Sequence, residues 1–92
     1  MSKLIVNADD FGLHSAVNAA VIDGHRTGII TSTSLLAGGE AFTEAVSMAK
    51  NNPKLGIGIH ITLVGGVKPV CDSSEVSSLL TPEGVFPENY VE

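Results

Sequence analysis

The sequence predicts an α/β chain built from parallel βαβαβ units. Short β-branched apolar runs alternate with segments whose apolar residues recur every three or four positions, and the whole pattern repeats about every twenty-five residues. Polar residues supply the third observation. The acid pair Asp9-Asp10, the Ser32 and Ser34 positions and His60 each fall at or towards the end of a predicted strand. That is the edge where parallel α/β sheets gather their sites.

Residues 3–8 form the first predicted strand, a short apolar run containing Leu4, Ile5 and Val6. Asp9 and Asp10 follow it directly, where a buried strand would end. Asp is depleted inside strands, and a buried charge is costly unless it is paired or bound to a metal. A helix is predicted over residues 14–26, with Leu13, Ala16, Val17, Ala20 and Val21 at helical spacing and Thr27-Gly28 as its stop. Residues 29–36 read as the second strand, broken by Ala37-Gly38-Gly39. A second helix is predicted over residues 40–51, with Phe42, Ala45, Val46 and Ala49 on one face and acids in its first turn. Asn51-Asn52-Pro53 ends it.

Residues 55–61 form the third predicted strand, and its alternation is informative. Leu55, Ile57, Ile59 and Ile61 point one way, a greasy face expected to pack against helices. Gly56, Gly58, His60 and Thr62 point the other way, nearly free of side chains until His60. Such a strand suits the lining of a narrow interior. From Leu63 onward the periodicity fades into a tail punctuated by Gly and Pro. Leu79-Leu80 is expected to form a turn of helix there, and Val85-Phe86 a brief β-pair.

Composition bounds the function. Ninety-two residues make one small domain, 43% hydrophobic and 16% charged, with a net charge of −5. No Lys/Arg cluster exists to neutralise phosphates, which argues against nucleic acid and against anionic membrane surfaces. No apolar run approaches a membrane span, and the apolar stretch before Asp9 is too short for a secretory signal. A single cysteine, Cys71, forms no internal disulfide, so a cytoplasmic setting is expected. Its neighbour Asp72 disfavours a thiolate. The Gly38-Gly39 and Gly65-Gly66 pairs match neither a P-loop nor a dinucleotide fingerprint.

Asp9, Asp10 and His60 together suggest hydrolytic metal chemistry. A divalent cation takes hard oxygen or imidazole ligands and keeps a position open for water. One carboxylate bound to it would leave the other ionised and able to accept a proton. Blander readings stand beside this one. An Asp-Asp pair also marks turns and helix caps, and a strand His also serves as a hydrogen-bonded core residue. His14 is expected to start the first helix, and His25 to sit solvated near its C-terminus.

Three blocks then carry a resemblance. They are Asn7-Ala8-Asp9-Asp10-Phe11-Gly12-Leu13, Gly28-Ile29-Ile30-Thr31-Ser32-Thr33-Ser34, and Gly58-Ile59-His60-Ile61-Thr62-Leu63 with Gly66, Lys68 and Pro69. In this order and spacing the chain resembles the YdjC/ChbG family of carbohydrate deacetylases, which includes chitooligosaccharide deacetylases. The resemblance implies a distorted (β/α) barrel and hydrolytic, metal-dependent N-deacetylation of acetylated amino sugars. By position in the motif, Asp9 matches the general base, while Asp10 and His60 match metal ligands. Magnesium is the metal implied, with zinc also suited to imidazole. No substrate-binding residue is assigned, and Ala37-Gly38-Gly39 departs from an asparagine usual in the family.

Family chains are longer, and a later His-rich segment supplies a further metal ligand. Residues 1–92 are therefore expected to be the N-terminal part of one deacetylase domain, with residues 1–62 as the βαβαβ core and 63–92 as a loop-rich, substrate-side segment. Three parallel strands cannot close a barrel, which takes about eight. An open sheet leaves edges and an apolar face exposed. A second copy of the chain, or a complementing C-terminal chain, is the expected partner beside the sugar substrate. The alternative reading is a non-enzymatic α/β interaction domain, or an inactive fragment, that pairs with such a chain.

Overall fold

The computed structural model describes residues 2–89; of the predicted 1–92 domain, residues 1 and 90–92 lie outside the described residues. Five elements follow in order: β1 (Asn7–Phe11), α1 (Ser15–Thr27), β2 (Ser32–Leu35), α2 (Phe42–Lys50) and β3 (Gly56–Ile59). The strands form one parallel sheet in the order β1-β2-β3. The expected βαβαβ architecture is therefore present. The chain divides into two compact units, residues 1–60 and 61–92.

Every strand is shorter than its apolar run, because pairing rather than hydropathy sets its ends. β1 differs most. The strand expected over residues 3–8 instead occupies Asn7–Phe11. The ladder with β2 starts only at Val6, whose carbonyl accepts from the Thr31 and Ser32 amides at 3.0 and 3.3 Å. Leu4 and Ile5, with no strand beside them, are exposed. The acid pair thus lies within the strand and not after it.

Helix α1 begins one residue later than expected, because His14 is its N-cap: the Nδ1 atom accepts from the Ala16 amide at 3.0 Å. His25 is half-buried rather than solvated, its Nδ1 lying 2.9 Å from the Ile30 carbonyl. The expected apolar face is also displaced. Leu13, Ala16 and Ala20 are exposed, and the helix buries Asn18, Val21 and Ile22. Helix α2 presents Ala45, Met48 and Ala49 inward; Glu44, not Glu40, is the acid of its first turn. Phe11, Val21, Ile22, Ala45 and Leu55 form the core, with Ala8, Val17, Ile30 and Leu35 packed around them. Both helices therefore cover the same face of the sheet, the one carrying Ala8, Phe11 and Leu35.

The greasy face of β3 is not packed as expected. Leu55 is buried, but Ile57 is 43% and Ile59 85% exposed. The reason lies in position. Ile57 and Ile59 pair in register with Thr33 and Leu35 and so share the helix-covered face, yet β3 is an edge strand, and the helix that packs most on the sheet, α1, does so on β1 at the opposite edge.

Residues 61–92 hold two short 3-10 turns, Ser73–Glu75 and Ser77–Leu79. The second corresponds to the helical turn expected at Leu79-Leu80. Val85-Phe86 makes isolated backbone bonds, from Thr81 N–H at 2.8 Å and to the Val67 carbonyl at 2.9 Å, without becoming a strand. Asp72 caps the first turn by accepting from the amide and hydroxyl of Ser74. The Ser74 amide, and then its hydroxyl, hold the Asp72 carboxyl below the usual aspartate range.

Candidate metal and catalytic site

Strict alternation along β1 would send Asp9 and Asp10 to opposite faces of the sheet. The register prevents this. Ala8 pairs with Thr33 and Phe11 with Leu35, so two β1 residues, Asp9 and Asp10, stand opposite the single residue Ser34. This is a β-bulge, a device that bends a strand and re-aims a side chain. Asp10 absorbs the extra residue at a φ of +69°, the one non-glycine among the described residues in the left-handed region. Asp is among the residues that adopt it most readily, since its short polar side chain bonds locally. The bulge also lets Ala8 and Phe11, three apart, both face the core.

The open face now carries a continuous polar strip. Asn7 registers with Ser32, Ser32 with Gly56 and Ser34 with Gly58. Asp9, two residues after Asn7, lies on that face, and His60, two after Gly58, follows from the end of β3. The His60 amide donates to the Leu35 carbonyl at 3.0 Å, which extends the ladder by one rung and fixes where the imidazole starts. Its Nδ1 lies 3.4 Å from Asp10 Oδ1, with the His60 side chain 30% and the Asp10 side chain 51% exposed. The structure therefore brings together two of the three residues singled out in the sequence. Asp9 is exposed and accepts instead from the Asn7 side chain.

Asp10 and His60 fit a cation as part of a ligand set. Two donors each held about 2.1 Å from one ion at a tetrahedral angle lie about 3.4 Å apart, the separation found here. Imidazole suits zinc, and a carboxylate suits either zinc or magnesium. Among the described residues no group of three or more His, Cys, Asp or Glu comes together that could hold a metal. His14 is engaged as the cap of α1.

One residue behind the site escaped the sequence reading. Asn18 on α1 is fully buried. Its Oδ1 accepts from the Gly12 amide at 2.7 Å, and its Nδ2 donates to the Ala41 carbonyl and to Glu44 Oε1, both at 3.0 Å. It ties the turn that follows the acid pair to the start of α2. Gly39 completes the tie. Its amide donates to the Leu36 carbonyl, and a Cβ at Gly39 would collide with the Gly12 carbonyl oxygen. The Ala37-Gly38-Gly39 break is thus a backbone docking point for the Gly12 turn.

A parallel α/β sheet with a carboxylate–imidazole pair at its C-terminal edge is the class of scaffold that the fold and site define. Comparison narrows the class. The model of the YdjC-like protein family matches residues 3–92, and the chain belongs to that family. A carbohydrate deacetylase of Brevibacillus brevis is 49% identical over 84 residues, which is 91% of this chain and 33% of that protein. A chitooligosaccharide deacetylase of Salmonella paratyphi B is 46% identical over 69 residues, 75% of this chain and 27% of that one. A crystal structure from Enterococcus faecalis V583, provisionally described as a cellobiose-phosphate cleavage protein, is 38% identical with a TM-score of 0.87, covering 95% of this chain and 34% of that chain. The chain spans about a third of the length of the curated relatives it matches.

Proposed function

We propose that this chain carries part of the active site of a metal-dependent carbohydrate deacetylase acting on N-acetylated amino sugars such as chitooligosaccharides. The observation that carries the reading is the Asp10–His60 pair at 3.4 Å on the open sheet face, brought there by the bulge. Membership of a family whose named relatives are carbohydrate and chitooligosaccharide deacetylases supports it. In this reading Asp10 and His60 hold a divalent cation, magnesium or zinc. The cation, when bound, supplies Lewis-acid polarisation of the acetamide carbonyl. Asp9, one residue away and exposed, accepts a proton from the attacking water. The water oxygen bonds to the acetyl carbon, the C–N bond breaks, and the proton passes to the departing amine. The products are acetate and the free amino sugar.

The same reading assigns the chain a partner. Two donors are fewer than the three protein ligands a catalytic zinc takes, and Ile57 and Ile59 stand exposed along an open strand edge. Both observations support a site completed by further strands, from a complementing polypeptide or a second copy. Cys71, exposed and alone, is compatible with a reducing cytoplasm. Among the described residues no helix is long and apolar enough to cross a membrane.

The test is acetate release from N,N′-diacetylchitobiose by the chain, alone and with a complementing segment. Chelation, Asp9→Asn and His60→Ala are each expected to lower the rate by at least a hundredfold. Release that survives all three overturns the reading. The non-enzymatic alternative draws on the same open edge, and it gains if the chain associates tightly while no acetate appears.

A further inference from the structure

Asn7 is an exposed residue at the start of β1, yet its side-chain amide is engaged at every hydrogen. Ser32 Oγ donates to Asn7 Oδ1 at 2.8 Å, and Asn7 Nδ2 donates to Ser34 Oγ at 3.0 Å and to Asp9 Oδ1 at 3.1 Å. The orientation of the amide is determined by its partners. An ionised carboxylate only accepts, so the nitrogen must face Asp9, which leaves the oxygen for the Ser32 hydroxyl. Two serines of β2 thus anchor one planar group, and the third contact of that group is the Asp9 carboxylate.

We infer that Asn7 is a positioning residue for Asp9, clamping one oxygen of its carboxylate against the β1–β2 face and leaving the other directed outward. The inference rests on the reading of Asp9 as the group that accepts the water's proton, and it says how an exposed side chain acquires a single direction there. An exposed aspartate ordinarily samples several χ1 rotamers. Here the residue before it on the same face donates a charge-assisted bond across the two-residue strand repeat. Ser32 and Ser34 prevent the amide from following the carboxylate away. The bulge makes the clamp selective: Asp10 stands opposite the same serine but turns to His60, so the two adjacent acids are separated into one held by an amide and one held by an imidazole.

The isotope-labelled 92-residue chain tests this without metal or substrate. The Hα–Hβ and N–Hβ couplings of Asp9 report its χ1 distribution directly. In the wild type they are expected to fit one rotamer. In Asn7→Ala, and in the isosteric Asn7→Asp, which keeps the shape but loses the donor, they are expected to collapse to averaged values. Thermal midpoints are expected to stay within a few degrees of wild type, as for other surface changes. Averaged couplings in the wild type overturn the inference. So does an unchanged rotamer in both variants, and so does averaging in Asn7→Ala alone, which would assign the effect to packing. The acetate assay can fail while Asn7 still orders Asp9, and the couplings can fail while deacetylation stands, so the two readings fall separately.

Discussion

Asn18 shows how a single buried amide can hold the turn that follows the acid pair. Its three hydrogen bonds reach Gly12, Ala41 and Glu44, which belong to the turn after β1, the residue before α2 and the first turn of α2. Removing the side chain would leave the Gly12 N–H without its partner and take one of two donors from the Ala41 carbonyl, which still accepts from the Ala45 amide; an unsatisfied buried group costs about 1–3 kcal/mol. Asn18→Ala is therefore expected to destabilise the chain by about 3 kcal/mol in urea denaturation. A loss below about 0.5 kcal/mol would show that water replaces the amide. The residue was invisible in the sequence because it interrupts an apolar helix face. Period counting reads such an interruption as a solvent-facing position, whereas the backbone groups that make Asn18 buried lie on other elements. The role of Gly39, read in the sequence only as part of a strand break, was hidden for a related reason: the atom it must avoid, the Gly12 carbonyl oxygen, is far away in sequence.

At the scale of the element, β1 is decided by its bulge. Two acids opposite one serine keep both carboxylates on the open face while Ala8 and Phe11 reach the core. The price is one residue in the left-handed region, which costs a residue with a Cβ about 1–2 kcal/mol and a β-branched residue more. Asp10→Gly is thus expected to preserve or raise stability, and Asp10→Val to lower it by about 2 kcal/mol, by thermal or urea denaturation. Equal stability in the two variants would show that the bulge is not pinned by that backbone conformation. The helices tell the same story at their ends. His14 serves as an N-cap through Nδ1, a use that the spacing around it did not single out over other helix-start roles.

For the whole molecule, the sheet has a covered face, a polar face and open edges. Ile59 is 85% exposed on the face of the sheet that it shares with Leu35. Replacing an exposed residue away from caps and networks changes stability by about 0.5 kcal/mol or less. Ile59→Lys is accordingly expected to leave the midpoint of unfolding unchanged while weakening association, with itself or a complementing segment, at least tenfold by sedimentation or light scattering. Association unaffected by the lysine would place the interface elsewhere. The family membership bears on the same point, since the relatives are about three times as long as the matched region.

By itself the sequence determined the kind of fold and the chemistry available to it. Alternating apolar periods produced the βαβαβ order, because local hydropathy and backbone preference act over a few residues and are written in consecutive letters. It also placed Asp10 and His60 at one sheet edge, since parallel strands carry the ends of successive runs to the same side. Only the tertiary structure decided where the strands begin, which acid meets the imidazole, and which side chains steady the other. Those outcomes depend on register, and register is a relation between strands. The pairing of Ala8 with Thr33 and of Phe11 with Leu35 turned two neighbouring carboxylates from opposite faces to one, and no property of either aspartate alone contains that information.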